Sequence, residues 1–135
     1  MTNIKEILQN TKSIAVIGMK ESDFDEAYKI PNYMKEHGYE IYPVNPTKAG
    51  KEIWDTVFYE KLADIEGSID MVNIFRRPEF LVEHAKEILQ LKHLPKYAWF
   101  QLGIYNDEAA KMLEEKGISV VQNRCIMVEH ARFFH

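Results

Sequence analysis

Short apolar runs and helix-like segments alternate along this chain, and that alternation restricts its fold more than any other feature. Five runs have the length and composition of buried strands: SIAVIG at 13–18, YEIYPVNP at 39–46, DMVNIF at 70–75, KYAWFQLG at 96–103 and ISVVQN at 118–123. Strands that are apolar on both faces and separated by helices are typical of a parallel sheet covered on two sides. We therefore predict a three-layer, doubly wound α/β fold with a parallel five-stranded sheet.

Helix signals occupy most of the segments between these runs. Apolar residues have helical spacing between 30 and 37, although Pro31 leaves the start of that helix open. Pro78 suits the first turn of a helix after the third run, and Asn106 suits a helix cap after the fourth. A last helix is predicted over 126–134.

The segment between the second and third runs is different. Residues 45–58 are the longest predicted loop, and 59–63 leave room for only a short helix. Ile53, Trp54 and Val57 are expected to be exposed on that loop, where they cover either a pocket or a partner.

The chain as a whole excludes several classes of protein. Its 135 residues suit one domain, 1–135, and its 46% hydrophobic residues supply a core. A net charge of -4 argues against a generally basic surface that binds nucleic acid. No apolar run approaches the roughly 20 residues of a membrane helix, and the first ten residues lack the core of a signal peptide. We therefore expect a cytoplasmic protein with no nucleic-acid or membrane partner.

The residues at the strand ends form the candidate site, because parallel strands end at one edge of the sheet and ligands bind there near the reversal of strand order. Arginine binds phosphate through its planar fork, and the following helix N-terminus adds unpaired N–H groups. Arg76 and Arg77 precede Pro78, and Arg124 precedes the last helix, so these ends favour an anionic ligand. The candidate binding residues are Gly18, Met19, Lys20, Ser22, Asn45, Pro46, Phe75, Arg76, Arg77, Gln101, Leu102, Gly103, Asn123, Arg124 and Cys125.

Motifs for other chemistry are missing from the sequence. A dinucleotide fingerprint needs G-x-G-x-x-G after the first strand and an acidic residue near the end of the second. The chain has only Gly18 there and ends the second run with Asn45-Pro46. The five histidines are scattered along the chain, so we predict no metal site and expect them at the surface or at helix ends. The single Cys125 cannot form an internal disulfide. We therefore assign no catalytic residue.

At these positions the chain resembles the small single-domain CoA-binding proteins, relatives of the CoA-binding domain in the α subunit of succinyl-CoA synthetase. The resemblance extends from Lys12 to Arg132 and is carried by IAVIG, HGYEIYPVNP, LADI, DMVNIFRRPE, WFQLGIYNDEAA and VVQNRCIMVEHAR, in that order. It implies a Rossmann-like domain that holds the adenosine diphosphate part of CoA at the carboxyl edge of the sheet.

The resemblance also implies roles for the strand-end residues. The first loop, from Gly18 to Ser22, would approach the phosphates, and Asn45-Pro46 would lie near the adenosine. Phe75 to Arg77 would line the crevice, and residues 101–103 and 123–125 would border the rest of the ligand.

The first loop departs from the pattern of that family. Where the family has small hydroxyl and basic residues, this chain has four carboxylates: Glu21, Asp23, Asp25 and Glu26. Carboxylates beside a phosphate repel it unless they point into solvent, where water and salt screen them.

These features predict a protein that binds CoA or an acyl-CoA in a non-catalytic, binding or regulatory role. Its partner would be this small-molecule nucleotide ligand, and a homodimer or a partner enzyme is left open. One alternative is an NAD(P)- or CoA-thioester-dependent enzyme completed by a partner subunit, and another is an interaction module with a vestigial nucleotide pocket. Cys125 is expected to be buried and inert, with a mixed disulfide to the CoA thiol as the alternative.

Overall fold

The computed structural model describes residues 3–134, which form an α/β fold around a parallel five-stranded sheet. The strands of this part of the chain are β1 (Ser13–Ile17), β2 (Glu40–Val44), β3 (Glu52–Ile53), β4 (Thr56–Val57), β5 (Met71–Ile74), β6 (Tyr97–Phe100) and β7 (Ser119–Val121). Its α-helices are α1 (Ile4–Gln9), α2 (Glu26–Glu36), α3 (Leu81–Leu89), α4 (Asp107–Glu114) and α5 (Ile126–Phe133). The large sheet has the order β2-β1-β5-β6-β7 with every neighbouring pair parallel, as predicted, and β3 and β4 form a separate hairpin.

Both faces of the sheet are buried, which explains why its strands are nearly continuous apolar runs. On β1, Ile14 and Val16 belong to one core layer, and Ala15 and Ile17 belong to the other. Helices α1, α2 and α5 cover the first layer, and α3 and α4 cover the second. The three-layer architecture predicted from the sequence is therefore confirmed.

Helix α2 begins at Glu26 and continues through Pro31. A proline inside a helix lacks the N–H that would bond the carbonyl four residues earlier, which here belongs to Ala27. The backbone N–H of Lys20 donates to that carbonyl instead, at 3.2 Å. The first loop is thereby tied to the helix at the turn that the proline would otherwise weaken.

The amino-terminal segment contains a helix that the sequence pattern did not indicate. Helix α1 is six residues long, with the Asn3 side chain accepting a hydrogen bond from the backbone N–H of Glu6. Only Ile7 and Leu8 are buried in this helix, and two adjacent residues are too few to show the apolar spacing of a helix in the sequence.

The predicted loop at 45–58 contains regular structure. A short 3₁₀ helix occupies Pro46–Lys48, and the β3–β4 hairpin follows. Ile53 is buried, not exposed as predicted, because the hairpin folds its side chain onto the α1–α2–α5 layer of the core. Trp54 is only partly exposed, and its ring packs at 6.0 Å between centroids from that of Tyr28. Ile53 is therefore unavailable to a partner, whereas Trp54 keeps part of its surface and Val57 is exposed as predicted.

The order of the strands reverses between β1 and β5. After β1 the chain enters α2 on one face of the sheet, and after β5 it enters α3 on the other face. Such a reversal opens a crevice at the carboxyl edge, since the two connections diverge. Gly18 and Phe75 immediately follow these two strands and border that crevice.

Candidate functional site

An open cavity of about 600 Å³ lies at the reversal of strand order. Its volume is within the range of small-molecule sites, about 300–1,000 Å³. Its walls come from the ends of β1, β5 and β6, from the first turns of α2 and from the residue before α5. Many of the strand-end residues singled out in the sequence line it together: Gly18, Lys20, Phe75, Arg76, Arg77, Gln101, Leu102, Gly103 and Cys125.

Gly18 allows the ends of β1 and β5 to lie close together. Its φ of +83° is in the left-handed region, and a Cβ built on it would lie 2.5 Å from the backbone oxygen of Phe75. Its own N–H donates to the carbonyl of Val44 on β2 at 2.9 Å. One glycine is therefore required here for both conformation and space.

The other predicted residues near the ends of β1 and β2 contact the first loop. The side chain of Met19 is fully buried, and its carbonyl accepts a hydrogen bond from Nδ2 of Asn45 at 2.9 Å. Oδ1 of Asn45 accepts from the backbone and side chain of Thr47. Ser22 accepts a hydrogen bond from the N–H of Phe24 within the loop. Asn45 and Ser22 therefore engage the loop itself in this structure.

Residues at the end of β7 also make local contacts. Asn123 has a φ of +59° and its Oδ1 accepts the N–H of Gly103 at 2.6 Å, which joins the loops after β6 and β7. Arg124 offers its carbonyl to Trp99 at 2.8 Å, and its Nη1 lies 3.7 Å from the buried carboxylate of Glu129. Neither Asn123 nor Arg124 is among the residues that line the cavity.

The cavity has a cationic side. Arg76 has no carboxylate within 4.0 Å among residues 3–134, and its guanidinium lies over the ring of Phe80 at 4.5 Å. Arg77 is mostly exposed and lies 3.9 Å from Glu79. Lys20 lies 3.8 Å from Asp25. Arg76 is therefore the lining cation whose charge is least compensated.

The carboxylates of the first loop divide into two groups. Oε1 of Glu21 accepts from Nζ of Lys51 at 2.8 Å and from Nζ of Lys48 at 2.9 Å. These hydrogen bonds lower the pKa of Glu21, and they hold its charge in a cluster outside the cavity lining. Asp25 and Glu26, by contrast, line the cavity, so these two carboxylates are placed where they would repel a phosphate bound there.

A buried polar chain crosses the floor of the site. Nδ2 of Asn73 on β5 donates to Oε1 of Gln101 at 3.3 Å, and the same oxygen accepts the N–H of Ile126 at 3.0 Å. Gln101 thus caps the first turn of α5 from the neighbouring strand. Sequence reasoning passed over Asn73, although a polar residue within an otherwise apolar strand run was the available signal.

Arg76 also lines a second, smaller cavity of about 200 Å³. Pro46, one of the predicted residues, contributes to it with Lys61 and His84. The carboxyl edge therefore has two cavities with Arg76 in both linings, and the smaller one is also lined by Glu60 and Glu87.

The histidines were expected at the surface or at helix ends, and His130 lies in the last turn of α5 but is buried there. Only 5% of it is exposed, and its Nδ1 pairs with the hydroxyl of Tyr33 at 3.0 Å. Its ring contacts those of His37, Tyr39 and Phe134. The sequence did not show this because the cluster joins α2 and α5, which are far apart along the chain.

Two kinds of feature are absent from the described part of the chain. Among residues 3–134, no group of three or more His, Cys, Asp or Glu side chains is placed to hold a metal ion. In the same part of the chain, no helix combines the length and the apolar composition needed to cross a membrane.

A doubly wound parallel sheet with a cation-lined crevice at its strand reversal defines a class, the Rossmann-like nucleotide-binding α/β domains. Within that class, this chain belongs to the CoA binding domain family, whose model matches residues 12–131. The family resemblance noted in the sequence is thereby confirmed.

Known proteins of the same size are similar along most of their length. The chain is 43% identical over 128 residues to the uncharacterized protein YneT of Bacillus subtilis, covering 95% of this chain and 92% of that protein. It superposes on the Thermus thermophilus protein called cell-free ID.343 with a TM-score of 0.92 and 38% identity, covering 98% and 100% of the two chains. A hypothetical protein from Pyrococcus horikoshii OT3 gives a TM-score of 0.89 with 36% identity, covering 98% of this chain and 90% of that one.

Proposed function

We propose that this protein binds coenzyme A, free or acylated, in the crevice at the carboxyl edge of its sheet, and that it acts as a binding or regulatory protein. The observation that carries the proposal is the guanidinium of Arg76. It lies at the reversal of strand order and has no carboxylate within 4.0 Å among the residues described. Membership of the CoA binding domain family supports the choice of ligand.

The chemistry of the two sides of the cavity matches the two ends of CoA. The nucleotide end carries phosphates. The guanidinium of Arg76 can donate two hydrogen bonds to a phosphate, and Arg77 and Lys20 add positive charge nearby. The pantetheine arm is uncharged, and Ile30, Leu102 and other apolar side chains line the remaining wall. A single elongated ligand with one anionic end is consistent with both the cationic side and the apolar wall of the cavity.

The same geometry argues that the acidic first loop is compatible with phosphate binding. Glu21 is neutralised by two lysines outside the cavity lining, and Asp25 lies near the positive charge of Lys20. The carboxylates at the rim still weaken the attraction between the cavity and the phosphates of CoA, so we expect a moderate affinity for CoA.

A thermal-shift panel tests the proposal. The protein is heated with CoA, acetyl-CoA, NAD, NADP and ATP in separate samples, and CoA affinity is then measured by calorimetry. A ligand that binds only the folded state stabilises it by about 2.7 kcal/mol at a concentration 100 times its Kd. We expect the melting temperature to rise with CoA and acetyl-CoA more than with the other nucleotides.

Two outcomes of that panel, and one outcome of a separate activity assay, would change the proposal. A larger shift with NAD or NADP than with CoA would replace the proposal by the dinucleotide alternative. No shift with any nucleotide at millimolar concentration would favour an interaction module. Turnover of an acyl-CoA by the protein would remove the non-catalytic part of the proposal.

A further inference from the structure

Cys125 lies in the wall of the cavity, immediately before helix α5. It is only partly buried, not enclosed as expected from the sequence, and it is a free cysteine. Its side chain makes no capping hydrogen bond to the helix. Reaction at the sulfur would therefore break no helix cap, although the side chain packs against the α1–α2–α5 layer of the core.

The neighbouring Gln101 indicates what occupies this end of the cavity. It is 4% exposed, and its Oε1 is engaged by Asn73 and by Ile126, the residue that follows Cys125. Its Nε2 donates to no residue between 3 and 134. In that range the only fully enclosed side-chain N or O atom without a hydrogen bond is Oε1 of Glu129, so Nε2 of Gln101 keeps some accessible surface, and the residue lines the cavity.

A largely buried amide N–H₂ in the lining of a cavity favours a ligand with a carbonyl acceptor, because an unpaired buried donor is costly. The pantetheine arm of CoA has two amide carbonyls, and its thiol lies a short ethylene unit beyond the last amide. An arm bound through Gln101 would bring that sulfur to the region of Cys125, since Gln101 contacts the adjacent residue at 3.0 Å.

We propose that Cys125 is a modification site that forms a mixed disulfide with coenzyme A when the protein meets CoA disulfide. This inference depends on the proposed function, because it uses CoA bound in the same cavity. The modification would lock one CoA in the crevice until a thiol reductant releases it.

The step is a thiol–disulfide exchange. The deprotonated sulfur of Cys125 attacks one sulfur of CoA disulfide, the new bond joins protein to CoA, and the original S–S bond breaks. The second CoA leaves as a thiolate and takes up the proton that Cys125 lost. CoA disulfide is the oxidant, one of its halves is reduced to CoA thiol, and no other co-reactant is needed.

Mass spectrometry of the intact protein tests this inference. After incubation with CoA disulfide, we expect a mass increase of one CoA minus two hydrogens, on Cys125 alone, that dithiothreitol reverses. Because binding holds the reactants together, we expect the adduct to form at least about ten-fold faster than with glutathione disulfide at equal concentration. Reduced CoA in excess should slow it by competition.

Three variants complete the experiment. Cys125→Ser should give no adduct. Arg76→Ala should slow the reaction with CoA disulfide but not with glutathione disulfide, and Lys111→Ala should behave as the wild type. If reduced CoA binds but Cys125 is not modified, or is modified equally fast by both disulfides, the modification site is refuted and the proposed function stands. If reduced CoA does not bind at all, both fail.

Discussion

A side chain at Gly18 would collide with the backbone oxygen of Phe75, since an added Cβ would lie 2.5 Å from it. The two residues follow neighbouring parallel strands, β1 and β5, at the point where the strand order reverses. The crevice can form there because the first loop passes directly against the end of β5 without a side chain in between.

Gly18→Ala is therefore expected to lower the free energy of unfolding by two contributions. A left-handed backbone costs roughly 1–2 kcal/mol for a residue with a Cβ, and overpacking against Phe75 adds about 1–3 kcal/mol. Gly50→Ala is the matched control, because Gly50 has a similar φ of +86° but no atom within 4 Å of its added Cβ. Urea denaturation should show a clearly larger loss at Gly18, and equal losses would mean that the close approach does not constrain the loop.

Arg76→Ala is expected to weaken CoA binding by about 1.5–3 kcal/mol, the value of a hydrogen bond to a charged group. Arg77→Ala should cost less, because Arg77 is largely exposed and already lies near Glu79. Isothermal titration calorimetry measures both, with the exposed Lys111→Ala on α4 as a charge-matched control outside the cavity. An unchanged Kd in Arg76→Ala would remove the guanidinium from the site.

Asp25→Asn is expected to tighten CoA binding. The change removes a negative charge from the cavity lining and leaves Lys20, 3.8 Å away, without its carboxylate. We expect a gain of about two- to five-fold at low salt, the scale of an exposed charge pair, and a smaller gain at high salt because of screening. Asp23→Asn removes the same charge from the same loop at a residue outside the lining, and it should leave the Kd nearly unchanged. Equal effects of the two variants would show that only the net charge of the loop matters.

The stability of the protein is expected to fall below about pH 6.5 because of His130. Burial among aromatic rings, and then the nearby His37, lower the pKa of His130 below its ordinary value. As the pH drops, the imidazole of His130 binds a proton near pH 6.5 in the unfolded chain but only at lower pH in the folded protein. The equilibrium therefore shifts toward unfolding. Above that pH the imidazole is neutral in both states and contributes no slope.

His130→Gln is the variant that tests this dependence. It should be less stable than the wild type at neutral pH, since packing and the hydrogen bond with Tyr33 change, yet its unfolding free energy should vary less between pH 7 and 5. His93→Gln, at an exposed position, should retain the wild-type slope. Denaturant titrations across this range give the slopes, and an unaltered slope in His130→Gln would assign the acid sensitivity elsewhere.

The sequence by itself determined the layers of this protein. Strands buried on both faces must be apolar at successive positions, and β1 and β5 show that directly in the chain. Caps and turns depend on few neighbours, so Asn106 was identifiable from its position, and its side chain accepts the N–H of Ala109 as expected. The location of the crevice followed from the same reasoning, since the carboxyl ends of parallel strands share one edge.

Only the tertiary structure decided which strand-end side chains face the crevice. Gln101 lines it, whereas Asn45 donates to the carbonyl of Met19 and Arg124 lies near Glu129. A polar side chain binds whichever partner the assembled elements bring within reach, and these partners are distant in sequence or hidden until the strands pair. Side-chain direction at the strand ends is therefore a property of the packed molecule, because local sequence sets only where each strand stops.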